Sequence, residues 1–229
     1  MKDIDELDLS VDFLRSHVKQ VHKDNGSRRL LLDQQLLSPV KAFVENVRGY
    51  FQEGLDPPTL WYRASDDLQR LLKSPELLEK SQNWPTTKEP NGPPGNLLFY
   101  EDPDYKFVLN ALVKKPLAET TVHDHGQSWT LYGVLEGGEH IRRWRRVDDG
   151  PKEHGPAVLS EDGTFDVTPG YIDIVPPWQV HQEKNGNHRT IGFIVRSQRS
   201  GTFRQYRYNL EDGSMGSNQG PHQIPYQLT

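Results

Sequence analysis

The sequence predicts a mainly β protein, an antiparallel barrel or double-sheet jelly roll preceded by a helical extension. Three observations lead there. Beyond residue 95 the apolar residues come in short runs separated by turn chemistry. Before residue 84 they recur at helical spacing instead. Between the two lies a stretch rich in proline and glycine (Pro85, Pro90, Gly92, Pro93, Pro94, Gly95), which reads as a linker or covering loop. The expected organisation is a helical extension over 1–83 packing on the barrel, a linker over 84–95, a barrel over 96–208 and an extended tail over 209–229.

In the extension, residues 8–21 carry Leu9, Phe13, Leu14 and Val18 near helical spacing, and 30–37 continue in that style. Ser38 before Pro39 reads as an N-cap followed by proline at the first helical position, leading into Val40, Phe43, Val44 and Val47. Thr59 is expected to cap a helix through Leu60, Leu68, Leu71 and Leu72, and Ser74-Pro75-Glu76 to open a short one. The strand candidates are 96–100, 106–114, 120–125, 128–135, 139–147, 157–160, 170–175, 179–183, 189–196 and 202–208. Glu101-Asp102-Pro103-Asp104, Asp148-Asp149-Gly150-Pro151, Glu161-Asp162-Gly163 and Asn185-Gly186-Asn187 separate them as turns. From Asn209 the chain is rich in Gly, Asn, Gln and Pro and is expected to be loosely ordered.

A chain of 229 residues can bury a sizeable core, although 34% hydrophobic content and a mean hydropathy of -0.78 imply much polar surface. A net charge of -5 argues against nucleic acid or an anionic membrane as partner. The absence of a charged-then-apolar leader and of a long apolar run makes the cytoplasm the expected compartment. With no cysteine, disulfides, thiolate metal sites and a cysteine nucleophile are all excluded, and any metal must be held by His, Asp or Glu.

The most informative stretch is His123-Asp124-His125-Gly126. In an extended segment His-x-His aims both imidazoles to one side. Four residues separate His125 from Thr130, and six separate Thr130 from Gly137. This resembles the first cupin motif, G(X)5HXH(X)3-4E(X)6G, with Thr130 in place of its Glu and Leu117 in place of its first Gly. Gly170, Pro176, Pro177, Trp178, His181 and Asn185 follow the second motif, G(X)5PXG(X)2H(X)3N, with Trp178 for Gly. The resemblance to the cupin superfamily implies a double-stranded β-helix, or jelly roll. It implies a metal held by His123, His125 and His181 without a carboxylate.

Neutral imidazole suits Fe, Zn, Cu or Ni, and Mn as well, so ligand type alone does not name the metal. Three neutral ligands leave the ion its full charge, which favours an anionic substrate such as a thiolate or enolate. The segment from Glu119 to Ser128, with Val134-Leu135-Glu136-Gly137, further resembles the metal-binding segment of bacterial cysteine dioxygenases. The likeness runs from Asn96 to about Gly201, and a helical N-terminal part is also typical of that family. It implies Fe(II) and insertion of both atoms of O2 into a substrate sulfur. Three positions depart from the family. Gly95 stands at the slot of the arginine that binds the cysteine carboxylate. Ile194, Arg196 and Gln198 stand where a Ser, His and Tyr alternate, and Thr130 occupies the slot of the crosslinking cysteine. Free cysteine is therefore not the expected substrate, and Tyr132, Arg196 and Gln198 become the pocket candidates.

The partners expected are a small molecule and O2, with a monomer or homodimer and neither nucleic acid nor membrane. Two other enzyme classes remain open: a three-histidine cupin cleaving a carbon–carbon bond, and an O2-independent isomerase or lyase. A non-catalytic small-molecule-binding cupin is the third alternative. Trp129 and Trp178 fit either a cavity wall or core. Asp124 should face away from the metal, and Glu136 and Glu139 are read as surface charges. The run Arg142-Arg143-Trp144-Arg145-Arg146 is read as a solvated strand with ion pairs. His17, His22, His140, His154, His188 and His222 lack motif context.

Overall fold

The structure, a computed structural model, describes residues 36–228. The helix expected over 8–21, most of that over 30–37, and His17 and His22 lie outside the described residues. Three helices precede the sheets: α1 (Ser38–Gln52), α2 (Pro57–Leu71) and α3 (Pro75–Ser81). In α1 the residues Val40, Phe43, Val44, Val47 and Phe51 are buried, the three-and-four spacing of one helix face. Two caps differ from expectation. Ser38 is already inside α1, after an uncapped Leu37. Asp56 rather than Thr59 caps α2, because its carboxylate accepts from the Thr59 N–H at 3.0 Å and from its hydroxyl at 2.8 Å. Ser74 caps α3 as expected.

The strands are β1 (Gly95–Glu101), β2 (Val108–Lys114), β3 (Thr130–Glu136), β4 (Glu139–Arg146), β5 (Leu159–Val167) and β6 (Ile172–Val175). They continue with β7 (Val180–Asn185), β8 (Thr190–Arg196), β9 (Gln205–Tyr208), β10 (Met215–Asn218) and β11 (His222–Pro225). One sheet has the order β11-β1-β2-β8-β3-β6, a second β5-β4-β7, and β10 pairs with β9. Among the named strands, every pairing except the parallel β1–β11 contact is antiparallel. The architecture is the mainly β double-stranded β-helix.

Strands β2, β3 and β8 are buried on both faces, and the period of two decides what each face meets. Leu109, Ala111, Val113, Leu131, Leu135, Ile191, Phe193 and Val195 share one core with the helices. Leu112, Tyr132, Val134 and Ile194 turn the other way and pack with Ile141 and Val167 of the second sheet. Gly133 lets α2 approach, since a Cβ there would lie 2.7 Å from a Leu72 methyl. The interior face is thus set by register: Thr130, Tyr132 and Val134 on β3, with Ile194 and Arg196 on β8, fall on it together.

Three segments depart from the expected plan. Residues 120–125 form no regular strand and are held by isolated bridges, among them His123 to His181 and His123 to Arg207. Glu161-Asp162-Gly163 is not a turn: β5 runs through it with a register shift, Gly163 opposite Arg143 and Glu161 opposite Trp144. Such a shift is a bulge, which uses the same residue types as a turn. The tail is ordered. Its β11 adds to the sheet edge beside β1, and Leu228 is buried in the main core. Edge pairing rests on main-chain hydrogen bonds, so polar composition does not exclude it.

Candidate metal centre

His123 and His125 lie on the extended segment between β2 and β3, and His181 lies on β7. The backbones of His123 and His181 exchange reciprocal hydrogen bonds of 2.9 and 2.8 Å. Between the two histidines of the His-x-His pair, Asp124 points the other way. Its carboxylate accepts from the N–H of Gly126 at 2.8 Å, the N–H of Tyr206 at 3.1 Å and the hydroxyl of Tyr208 at 2.6 Å. This anchors the turn that follows. Gly126 has φ 53°, and a Cβ there would strike the Arg204 carbonyl.

The motif glycine slots share a backbone reason. Leu117, Gly137, Gly170 and Trp178 have φ of 62°, 81°, 88° and 65°. All four need the left-handed region, which glycine enters freely and other residues enter at about 1–2 kcal/mol. Leu117 and Trp178 therefore keep the motif's conformation without its residue.

The three imidazole rings stand with centroids 4.7, 4.8 and 5.1 Å apart, and one ligand atom from each lies within 4.8 Å of the others. His123 Nδ1 donates to the Thr121 carbonyl at 2.8 Å, which leaves its Nε2 with a lone pair. His125 Nδ1 and both ring nitrogens of His181 are buried without a partner. Burial pulls all three pKa values down, His181 to about 3 with His123 adding to the effect. Unprotonated imidazoles converging on one point, each with a ring nitrogen left free, are the donor set a transition metal takes. A metal fits here, held by three histidines with no carboxylate in the cluster.

Beside them is a cavity of about 390 Å³. Its wall includes His123, His125, Thr130, Tyr132, Ile194 and Arg196, so the sequence-predicted Tyr132 and Arg196 do meet the histidines. Arg196 is 5% exposed and donates to Ser200 Oγ at 2.6 Å, while its Nε has no partner. Burial draws its pKa down to about 10, against the pull of Glu183. Gln198 does not join them. Two residues beyond β8, it is half-buried outside the cavity wall. The alternation that places Arg196 ends with the strand.

Trp129 packs against the helix-covered core, and Trp178 lies 5.9 Å from the Tyr206 ring, so neither lines the cavity. Glu136 is on the surface, accepting from Gln82 at 2.7 Å. Glu139 is not: it is buried, accepts from Lys114 Nζ at 2.6 Å and takes the Tyr132 hydroxyl hydrogen bond. Lys114 also donates to Glu183 at 3.3 Å. Burial alone would raise the Glu183 carboxyl, but Lys114 together with the nearby His181 and His123 outweighs it and holds it below the usual carboxylate range. Burial, with Glu139 and Glu183 beside it, pushes the Tyr132 phenol well up, so it keeps its proton. The arginines of β4 divide as expected into ion pairs, Arg142 with Glu161 and Arg143 with Asp173.

Sequence reasoning missed Lys114, Glu139, Glu183 and the cavity residues Lys88, Asn96, Gln205 and Arg207. Lys114 and Asn96 sit within otherwise apolar strands, and a polar residue on the inward period was the available signal.

No protein-family model matches this chain, and no curated protein matches it. Solved structures resemble it loosely. The cupin domain of Cnp3 from Schizosaccharomyces pombe is 13% identical over 45% of this chain and 64% of its own, with a TM-score of 0.35. Hydroquinone 1,2-dioxygenase PnpCD, solved with Cd2+ and 4-hydroxybenzonitrile, is 12% identical over 56% of this chain and 74% of its own, at 0.39. An oxalate oxidase is 16% identical over 52% of this chain and 57% of its own, at 0.38. The chain thus spans less than two thirds of the first and third of these. At those scores the fold is read from the strand order itself, and the chemistry from the side chains.

Proposed function

We propose that the protein is a non-heme iron(II) oxidoreductase of the thiol-dioxygenase kind, acting on a small anionic substrate other than free cysteine. The observation that carries this is a cavity beside the three-histidine cluster whose wall holds His123, His125 and a buried guanidinium with no ion pair among the described residues. The histidines favour a metal; the guanidinium favours an anion. His123, His125 and His181 would hold the iron, which supplies the redox chemistry that lets O2 oxidise an anionic sulfur. The overall reaction balances without an external reductant: R–SH + O2 gives R–SO2H, sulfur losing the four electrons that reduce O2.

The chain's own residues orient the substrate. Arg196 and the amide of Asn96, whose Nδ2 and Oδ1 are both unpartnered, would bind its acidic group. Gly95 supplies no side chain for this, so the charged anchor comes from β8 and the start of β1 contributes only the neutral amide of Asn96. Leu112 and Ile194 give the cavity apolar wall that excludes water. The ring of Tyr132, fixed through its hydroxyl by Glu139, closes that wall. In this reading the protein works in the cytoplasm as a monomer or homodimer, with the small molecule and O2 as its partners.

The test is metal analysis of protein purified without added metal, then oxygen uptake with a panel of thiols and diketones. One iron per chain and sulfinate formed mole for mole with O2 are expected. Turnover of a diketone alone, or no O2 uptake by iron-loaded protein, overturns the proposal. Arg196→Met should raise KM for the true substrate about tenfold or more while leaving iron content unchanged.

A further inference from the structure

Thr130 and Arg196 are direct cross-strand partners in the β3–β8 pairing. Just beyond them the Ser197 N–H donates to the Trp129 carbonyl at 3.0 Å. Theirs is therefore a non-hydrogen-bonded pair, the kind whose side chains stand closer on one face. The Ser197 hydroxyl pins that register as well, accepting from the Trp129 N–H at 3.1 Å and meeting Ser128 Oγ at 3.1 Å. Across β2, β8, β3 and β6 the row reads Val108, Arg196, Thr130, Val175. Its ends are apolar, so the guanidinium and the hydroxyl are the polar pair of the row. Both line the cavity that His123 and His125 also reach.

Each of the two has hydrogen-bonding capacity that the fold leaves unused. Thr130 is 1% exposed, and its Oγ1 has no protein partner. Arg196 spends Nη1 on Ser200, while its buried Nε is unpartnered. The unused edge is the one on which the Nε–H and an Nη2–H run parallel, which a carboxylate takes with both oxygens. The hydroxyl and the guanidinium do not bond each other, and a guanidinium has no acceptor to offer. The acids of the same cavity are engaged elsewhere: Glu183 by Lys114, and Glu119 by Gln182 at 3.0 Å and Lys184 at 3.9 Å. An unsatisfied buried hydroxyl and an unpaired buried cation both cost stability, and one anion would satisfy the two together.

We propose that Thr130 and Arg196 form one carboxylate subsite, with Thr130 as a specificity-determining residue. Arg196 takes both oxygens through Nε and Nη2, and the Thr130 hydroxyl donates to one of them. Ile194, two residues along β8 on the same face, gives the ligand's carbon chain its apolar contact. This rests on reading the cavity as the substrate site, and it names the pair that receives the substrate's acidic group.

The experiment compares propionate with propionamide, its uncharged isostere, by calorimetry on the metal-loaded protein. Wild type should bind propionate about tenfold or more tighter. Thr130→Val keeps the side chain's shape and removes only the hydroxyl. It should weaken propionate about tenfold with metal content unchanged, while Thr130→Ser stays within about threefold of wild type. Thr130→Glu, which sets a carboxylate opposite Arg196, should abolish the propionate preference. Ligand-free Thr130→Val should melt within about 2 °C of wild type, because no protein group depends on that hydroxyl. The proposal is overturned if wild type shows no preference, if Thr130→Val binds propionate as wild type does, or if Thr130→Ser is as weak as Thr130→Val. Loss of metal or a clearly lower Tm in Thr130→Val overturns it too, since the hydroxyl would then serve the metal site or the fold. Oxygen uptake with mercaptoacetate and with uncharged 2-mercaptoethanol reports on oxidation separately. A valine effect on propionate without uptake from either thiol removes the oxidation reading and keeps the subsite. Uptake with mercaptoacetate at a KM that Thr130→Val leaves unchanged does the reverse.

Discussion

Gly192 on β8 is where a single methyl group should do the most damage to the cavity. A Cβ there would point inward and lie 2.5 Å from Tyr132 Cζ and 2.6 Å from its hydroxyl oxygen. Ordinary contact needs about 1 Å more, so the ring must move. It has little room, because Tyr132 is 3% exposed, Lys114 Nζ stands 5.2 Å from its ring centroid, and its hydroxyl is bonded to Glu139. Overpacking a core of this kind costs about 1–3 kcal/mol. Displacing the ring also breaks a hydrogen bond to a buried carboxylate, worth about 1.5–3 kcal/mol. Gly192→Ala should therefore destabilise by about 3–4 kcal/mol, lowering Tm by roughly 10 °C. Differential scanning calorimetry measures it. In a Tyr132→Leu background, which has no ring to strike, the same change should cost less than about 1 kcal/mol. An equal cost in both backgrounds, or a fall in Tm under about 2 °C, would refute the contact as the cause.

His181→Ala should abolish metal retention, measured by elemental analysis, because the remaining His123 and His125 offer two ligands; retention of one metal per chain would contradict the three-histidine site. Asp173 sets a pH dependence. Burial, opposed by Arg143, pushes its carboxyl from 3.8 up to about 6, so the folded state holds this proton more tightly than the unfolded chain. The contribution of Asp173 to stability is then fully present below about pH 4, is lost, by about 3 kcal/mol, as pH rises through about 6, and is flat above. Denaturant unfolding of Asp173→Asn, which lacks the group, should not show that fall relative to wild type. At Leu117, which is 60% exposed with φ 62°, Leu117→Gly should be more stable than Leu117→Ala by about 1 kcal/mol, since both lose the side chain and only alanine keeps the strain. Equal stabilities in urea would argue against a left-handed residue there.

The three-histidine cluster was legible in the sequence because its information is local. His-x-His on an extended segment places two imidazoles on one side by period alone, and the glycine slots at 137 and 170 mark left-handed turns that need that residue type. The short apolar runs likewise announce strands, and Ser74 announces its helix. The turn reading of Glu161-Asp162-Gly163 failed because a bulge and a turn want the same residues, and only the partner strand β4 distinguishes them. The ordered tail was hidden because β11 is held at the sheet edge by main-chain bonds, to which composition is blind.

Short-range period and spacing carry both the strand-rich fold class and the three histidines, so both are readable along the chain. The company those histidines keep depends instead on how distant segments pack. Glu139 looked like a surface charge until β4 turned it toward Lys114 from β2, 25 residues away in sequence. Lys88, Arg196 and Arg207 come from a loop and two strands with no shared local pattern, and chain closure alone brings their charges to one cavity. The physical reason is that a side chain's face follows from its own strand, whereas its partners follow from which strands pair.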